Sequence, residues 1–367
     1  MEKISDIIES IANEKGLEIE EVKERVIRAF INSAKKLFGE DYEYEAVLDA
    51  SSKNIKLFQK ILVVANDDER VHEGEHIINI SKAKEIDSGI EIGDELSYDI
   101  NLENLGRTAS ETLSRELNYH IQRLLEEKLF EKYNSKVGTL VFGTVTHVDS
   151  DETTFVEIDD LKAFMPRKNR IKDEKFKVGD IARAVIRRVF VDKSQGIKIE
   201  ISRTSPKFLE AMLEVQVPEI KDGNVIIKSC ARIPGKRAKV ALLALSPNVD
   251  PVGATVGTKG VRINAVSKEL KNENIDAIEY SSQPELMVSR AIAPAIVNAV
   301  KVNGKKATIY INSEQKSKAI GKDGINIRLA SMLTGYEIEL VESKTADERN
   351  GETSLAVKDL KSLFGDI

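Results

Sequence analysis

The 367-residue chain has one cysteine, Cys230, and four histidines. A lone thiol excludes an internal disulfide and a cysteine-rich metal site, and it fits a reducing compartment. His72 and His76 stand four apart with Gly74 between them, which suits a surface loop better than a helical metal pair; His120 and His147 complete no ligand set. Long apolar runs are also missing, since stretches such as residues 61–65 fall far short of the roughly 20 residues a bilayer span needs. The opening Met1-Glu2-Lys3-Ile4-Ser5-Asp6 lacks the basic flank and apolar stretch of a signal peptide. No membrane partner is expected, and a cytoplasmic location is. Residues 253–259 superficially look like a phosphate-binding loop, but the glycine-to-lysine spacing is wrong, and serine and cysteine nucleophile motifs are absent. Neither an enzyme, a cofactor nor a metal is expected.

What is present is charge, unevenly spread. The net charge of -6 hides -12 over residues 1–134, +10 over 135–336 and -4 over 337–367. A basic middle suits phosphates, whereas an acidic first segment suits a basic protein patch or simply solubility. At roughly 100 to 200 residues per domain, the length predicts two to four domains.

Apolar residues recur at helical spacing through Ile4, Ile7, Ile8 and Ile11, and again from Val22 to Leu37, with Gly16 and Gly39 as stops. Short strand-like runs follow at 44–48, 55–58, 61–65, 77–80 and 95–100, then a long helix over 105–133 that reads as a connector. Five strand-like runs, at 138–148, 154–158, 161–165, 180–190 and 197–202, predict a small barrel of the OB type. Helix and strand then alternate from 206 to 341 without a low-complexity linker, so closely coupled domains are expected. The polar end of the chain reads as a flexible tail with a short terminal helix.

An internal repeat organises the second half. An offset of 64 residues places Val256-Gly257-Thr258-Lys259-Gly260-Val261 on Ile320-Gly321-Lys322-Asp323-Gly324-Ile325, and the match continues through Ile263/Ile327 and Ser267/Ser331. Two glycines at this spacing between amphipathic helices expose backbone N–H groups to a phosphate, and Lys259 and Lys322 add charge while Asp323 opposes it. The unit resembles the KH domain, whose Gly-x-x-Gly loop clamps the backbone of single-stranded nucleic acid, in the strand and helix order of the bacterial, type II variant. In the first copy the reading has a helix at 206–215, strands at 224–232 and 238–244, and a strand at 275–280. The second has a helix at 285–297 and strands at 299–303, 307–311 and 337–341. Arg262 and Arg328 are candidates for the charged rim, with a solvated helix face as the alternative.

The barrel segment resembles the S-one type of OB domain through Gly138-Thr139-Leu140-Val141-Phe142-Gly143-Thr144-Val145, Phe176-Lys177-Val178-Gly179-Asp180 and Ile199-Glu200-Ile201-Ser202. Such surfaces stack bases on aromatic rings beside basic side chains. Phe155, Phe164 and His147 are the candidate platforms, with Arg167, Lys168, Arg187 and Arg188 nearby; packing inside the barrel is the alternative for each phenylalanine.

Taken in order, an acidic α/β domain, a long helix, an OB barrel and two KH units resemble the NusA family of bacterial transcription factors. The marks are dense from Arg232-Ile233-Pro234-Gly235-Lys236-Arg237 through Asp250-Pro251-Val252-Gly253 to Ile263-Asn264-Ala265-Val266-Ser267, and again at Ile327-Arg328-Leu329-Ala330. The resemblance implies a multidomain α+β chain: an RNA polymerase-binding domain with connector helix over 1–134, the barrel over 135–203, KH domains over 204–282 and 283–343, and a tail over 344–367. It also implies binding of nascent single-stranded RNA, modulation of pausing, termination and antitermination, and company with other elongation and antitermination factors. Candidate polymerase contacts are Arg25, Arg28, Lys36 and residues 67–69. The sequence departs from the family at Ile325, where Gln is frequent. The competing expectation is an RNA-binding subunit of an RNA-processing, RNA-degrading or ribosome-associated complex, since KH and OB modules also occur on exoribonucleases.

Overall fold

A computed structural model describes residues 3–68, 76–100, 106–159, 161–192 and 196–342. The tail over 344–367, and the sequence expectations that fall on Glu69, His72 and the turn at Ser194-Gln195, lie outside these residues. The chain divides into two compact units, Met1–Lys132 and Tyr133–Ile367.

In the first unit, α1 (Ile4–Lys15) ends where Gly16 takes a left-handed φ of 63° and its N–H caps Ala12. The next helix, α2 (Ile19–Phe38), buries Val22, Val26, Phe30 and Ala34, the stripe its spacing predicts. A four-stranded sheet follows, from β1 (Glu43–Leu48), β2 (Ile55–Val64), β3 (Ile77–Asn79) and β4 (Glu95–Ile100), with α3 (Ile80–Ile86) between the last two. Here the sequence expectation of separate strands at 55–58 and 61–65 is corrected. Gln59 and Lys60 carry no turn signal, and both continue the ladder against β1 and β4, so one ten-residue strand forms the centre of the sheet. Helix α3 was not expected; Asn79 starts it by accepting the Lys82 N–H at 2.9 Å. The long helix, α4 (Gly106–Asn134), does more than connect, because Ile121 and Leu124 are buried in one core with Ile8, Val22, Phe30 and Leu57.

The second unit begins with a closed barrel of β5 (Leu140–Val148), β6 (Thr154–Ile158), β7 (Leu161–Met165), β8 (Ile181–Asp192) and β9 (Gly196–Ser202), ordered β5-β6-β7-β9-β8. Two copies of one layout follow. The first has α5 (Pro206–Gln216), α6 (Pro218–Lys221), β10 (Val225–Ile233), β11 (Arg237–Ala244), α7 (Pro251–Val256), α8 (Val261–Glu269) and β12 (Asn274–Glu279). The second has α9 (Pro284–Ala291), β13 (Ala299–Asn303), β14 (Lys306–Ile311), α10 (Ser313–Ile320), α11 (Ile325–Thr334) and β15 (Glu337–Glu342). In each, the first two strands are antiparallel and the last lies parallel to the middle one. The helix expected over 285–297 stops at Ala291, because Pro294 lacks an N–H and restricts the residue before it.

Buried charge joins these modules. Arg203 leaves the barrel and donates to Glu174 at 2.7 Å, to Glu269 of α8 at 3.0 Å and to the Glu269 carbonyl at 2.8 Å. The Arg232 guanidinium of β10 donates to Glu273 at 2.8 Å and to the Arg203 carbonyl at 2.7 Å. Phe208 lies between the two arginines, its ring centroid 4.8 Å from Arg203 and 5.8 Å from Arg232. Barrel residues Ile171 and Val185 share a core with Phe208, Leu209 and Met212 of α5. Across the next joint, Ala231, Ala241 and Ile278 of the first copy pack with Met287, Val288, Leu329 and Ala330 of the second, and buried Lys239 donates to the Ala293 carbonyl at 2.8 Å.

Candidate nucleic-acid interface

The two Gly-x-x-Gly loops have nearly one backbone. Gly257 sits at φ 71°, ψ 172° and Gly321 at φ 74°, ψ 172°; Lys259 and Asp323 are both left-handed, at φ 54° and 56°; Gly260 and Gly324 follow at 76° and 70°. That conformation at the first glycine is essentially closed to other residues, so the glycines are required by geometry. Thr258, Lys259, Lys322 and Asp323 are exposed at the loop tips. The charge differs between copies: the first places its lysine at the left-handed position, whereas the second places Asp323 there and Lys322 one residue earlier.

Beside α8 runs a groove of about 380 Å³, lined by Ile263, Asn264 and Ser267 on one wall, Asn274, Ile275 and Asp276 on the other, and Arg237. Its second wall, β12, is an edge strand of its sheet, which leaves one side of its backbone without a partner strand. Arg237 is held against Asp276 by bonds of 2.8 and 2.9 Å.

The two rim arginines part company. Arg328 is exposed on α11, as its position suggested. Arg262 is folded back: its Nη1 donates to the Ala254 carbonyl at 2.6 Å and to Glu219 at 2.8 Å, and its stem runs under Gly257. Helical spacing gave the residue's place on α8 but not the carbonyl within its reach.

On the barrel, Thr154, Val156, Ile158, Ala163 and Met165 fill the interior, so alternation turns Phe155 and Phe164 outward, where they are direct cross-strand partners. His147 stacks on Phe155 with centroids 5.8 Å apart, and Phe164 meets Phe190 edge-on at 6.2 Å. Phe190, which sequence reasoning missed, carries the Arg188 guanidinium 4.9 Å over its ring. A register shift after Ile186 brings Arg187 and Arg188 out together. Two consecutive arginines on a strand were the available signal for that bulge. Both pair with Glu200, a carboxylate 1% exposed that also accepts from Asn169 at 2.7 Å. Burial opposes its charge, yet the Asn169 hydrogen bond and the Arg188 and Arg187 charges together hold its carboxyl below the ordinary value. Arg167 is exposed and lies 3.2 Å from Glu152, and Lys168 is exposed beside it. Half-buried rings and exposed, carboxylate-paired guanidinium groups thus lie together on the outside of the barrel.

Among the described residues no group of three or more His, Cys, Asp and Glu could hold a metal, and burial pushes the Cys230 thiol up to about 12. No described helix is long and apolar enough to cross a membrane. In the first unit, Arg25 pairs with Glu127 and Lys36 with Glu116 at 2.6 Å, while Arg28 is exposed.

Comparison with known proteins covers nearly the whole chain. The NusA N-terminal domain matches residues 3–128, the NusA-like first KH domain 203–280 and the NusA-like second KH domain 284–348. The transcription termination/antitermination protein NusA of Helicobacter pylori strain J99 is 40% identical, covering 99% of this chain and 100% of the relative. That of Thermus thermophilus is 35% identical, with 93% and 90% covered, and that of Bacillus subtilis is 30% identical, with 94% and 92% covered.

Proposed function

The chain belongs to the NusA family of transcription termination/antitermination proteins, which are not enzymes, and from that membership we propose that it docks on RNA polymerase through its first unit and holds nascent single-stranded RNA on its second. The observation that carries the RNA half is the pair of superimposable Gly-x-x-Gly backbones, 64 residues apart, continuous with a barrel that presents its aromatic rings outward. The acidic first unit, at -12, is suited to a basic protein patch and unsuited to phosphate.

Docking supplies the mechanism. RNA contacts that are weak in free solution gain a high effective concentration once the protein is tethered beside the emerging transcript, so pausing, termination and antitermination respond without tight intrinsic binding. Other elongation and antitermination factors join on the same assembly, and the work is cytoplasmic. The test is co-elution of the full chain with core RNA polymerase, alongside RNA titration. Support is a stoichiometric complex that survives Lys259→Asp combined with Lys322→Asp while RNA affinity falls. Failure to co-elute at low salt, with RNA binding intact, would redirect the reading to an RNA-processing or ribosomal complex.

A further inference from the structure

Each Gly-x-x-Gly loop is underpinned by one side chain, five residues after its first glycine. In the first copy this is Arg262, in the second Asn326, and the two are related by the same 64-residue offset as the loops. A Cβ on Gly257 would stand 2.8 Å from Arg262 Cγ, and one on Gly321 would stand 2.7 Å from Asn326 Cβ. Both side chains also reach back across the loop to the helix before it. Arg262 donates to the Ala254 carbonyl at 2.6 Å, and Asn326 Nδ2 donates to the Lys318 carbonyl at 3.3 Å; these acceptors are again 64 residues apart. Each then ties to a third element. For Arg262 it is Glu219 on α6, at 2.8 Å; for Asn326 it is the Ile292 carbonyl just after α9, at 2.9 Å, with the Ala319 carbonyl at 3.1 Å as a further acceptor.

Two chemically unlike side chains therefore make one contact in both copies. Loop residues in sparsely populated conformations persist only where their surroundings hold them, and here the same position does so twice. We propose that Arg262 and Asn326 are positioning residues that fix the Gly-x-x-Gly backbone for a phosphate, and that neither contacts the nucleic acid. The proposal rests on the RNA-binding reading and refines it: Nη1 of the guanidinium under the first loop is committed to the Ala254 carbonyl and Glu219, and Asn326 is buried, so phosphate recognition falls to the loop backbone and to Lys259.

Glu219 gives a test in which the sign decides. If Arg262 binds phosphate, then Glu219→Gln removes a nearby negative charge and RNA binding tightens. If Arg262 positions the loop, the same change loosens its anchor and binding weakens. With the full chain and a labelled single-stranded RNA of mixed sequence, Glu219→Gln and Arg262→Gln each weaken binding, by about fivefold for a lost hydrogen bond of this kind. The slope of log affinity against log salt stays at the wild-type value in both, whereas Lys259→Ala lowers it by about one. Arg262→Lys, which keeps the stem under Gly257 and one donor, recovers part of the loss. Unchanged or tighter binding in Glu219→Gln overturns the proposal, as does a slope in Arg262→Gln that falls as far as in Lys259→Ala. Should the wild-type chain not bind RNA, the functional reading fails and amide exchange still judges the positioning role. The Gly257 and Gly260 N–H groups, which donate within the loop region to Gly253 and Gly257, exchange faster in Arg262→Gln if it holds and at the wild-type rate if it does not.

Discussion

Arg232 and Glu273 form an ion pair at 2.8 Å in which neither side chain has any solvent exposure. The pair sits where the barrel meets the first KH unit, and Glu273 also accepts the Gly235 N–H at 2.8 Å. Removing one partner strands a buried charge, so Glu273→Ala is expected to cost about 3–5 kcal/mol. Denaturant unfolding of the full chain measures this, and a cost below that of an ordinary surface substitution would show that the pair is not isolated from water.

Gly257→Ala and Gly321→Ala force a Cβ into a backbone region that only glycine occupies, and into Arg262 or Asn326 beneath. Each is expected to lose single-stranded RNA affinity, since backbone strain of about 1–3 kcal/mol is relieved by leaving the phosphate-facing conformation. RNA titration checks it, with far-UV circular dichroism confirming that helix content is retained.

Reversing charge at both loops, Lys259→Asp with Lys322→Asp, should weaken RNA binding and reduce the salt slope by about two, because each lysine that neutralises a phosphate accounts for about one. Because the second loop already carries Asp323, the first-loop substitution is expected to account for more of the weakening. Single variants titrated over a salt series separate the contributions.

Phe155→Ala, Phe164→Ala and Phe190→Ala each remove a ring from the outer face of the barrel. A loss of about 1–3 kcal/mol in RNA binding is expected for a ring that stacks a base. Melting temperature should move little for Phe155 and Phe164, whose neighbours Val156 and Met165 carry the interior packing. A large drop in melting temperature with unchanged RNA affinity would instead assign the rings to packing.

The depressed carboxyl of Glu200 links stability to acid. Its folded pKa lies below the ordinary value of 4.5, so the stability it contributes is present above that value and is lost as pH falls through the folded pKa. Glu200→Gln is expected to flatten this part of the acid-unfolding curve, and Arg188→Gln to shift it upward in pH. Thermal melts from neutral pH down through the acid range resolve both.

Much of the fold was legible where local signals agreed. The strands at 154–158 and 161–165 fall at their expected bounds, because alternation and turns mark them on both sides. The repeat likewise located both loops, since glycines that geometry requires leave a pattern in the sequence. What escaped was set by contacts at long range. The pairing of Arg262 with Ala254 and Glu219, the clamp of Asn169, Arg187 and Arg188 on Glu200, and the part of α4 in the first core depend on which surfaces meet, and periodicity within one element carries no record of that.

Finally, shared cores and buried polar ties join barrel to first KH unit, and first to second, and so set the spacing of the three candidate binding surfaces. On the proposed RNA-binding reading, a chain so jointed is expected to work as a gauge of strand length. An RNA too short to bridge neighbouring surfaces engages one of them, and each further nucleotide adds little until the next surface is reached, whereupon affinity rises in a step.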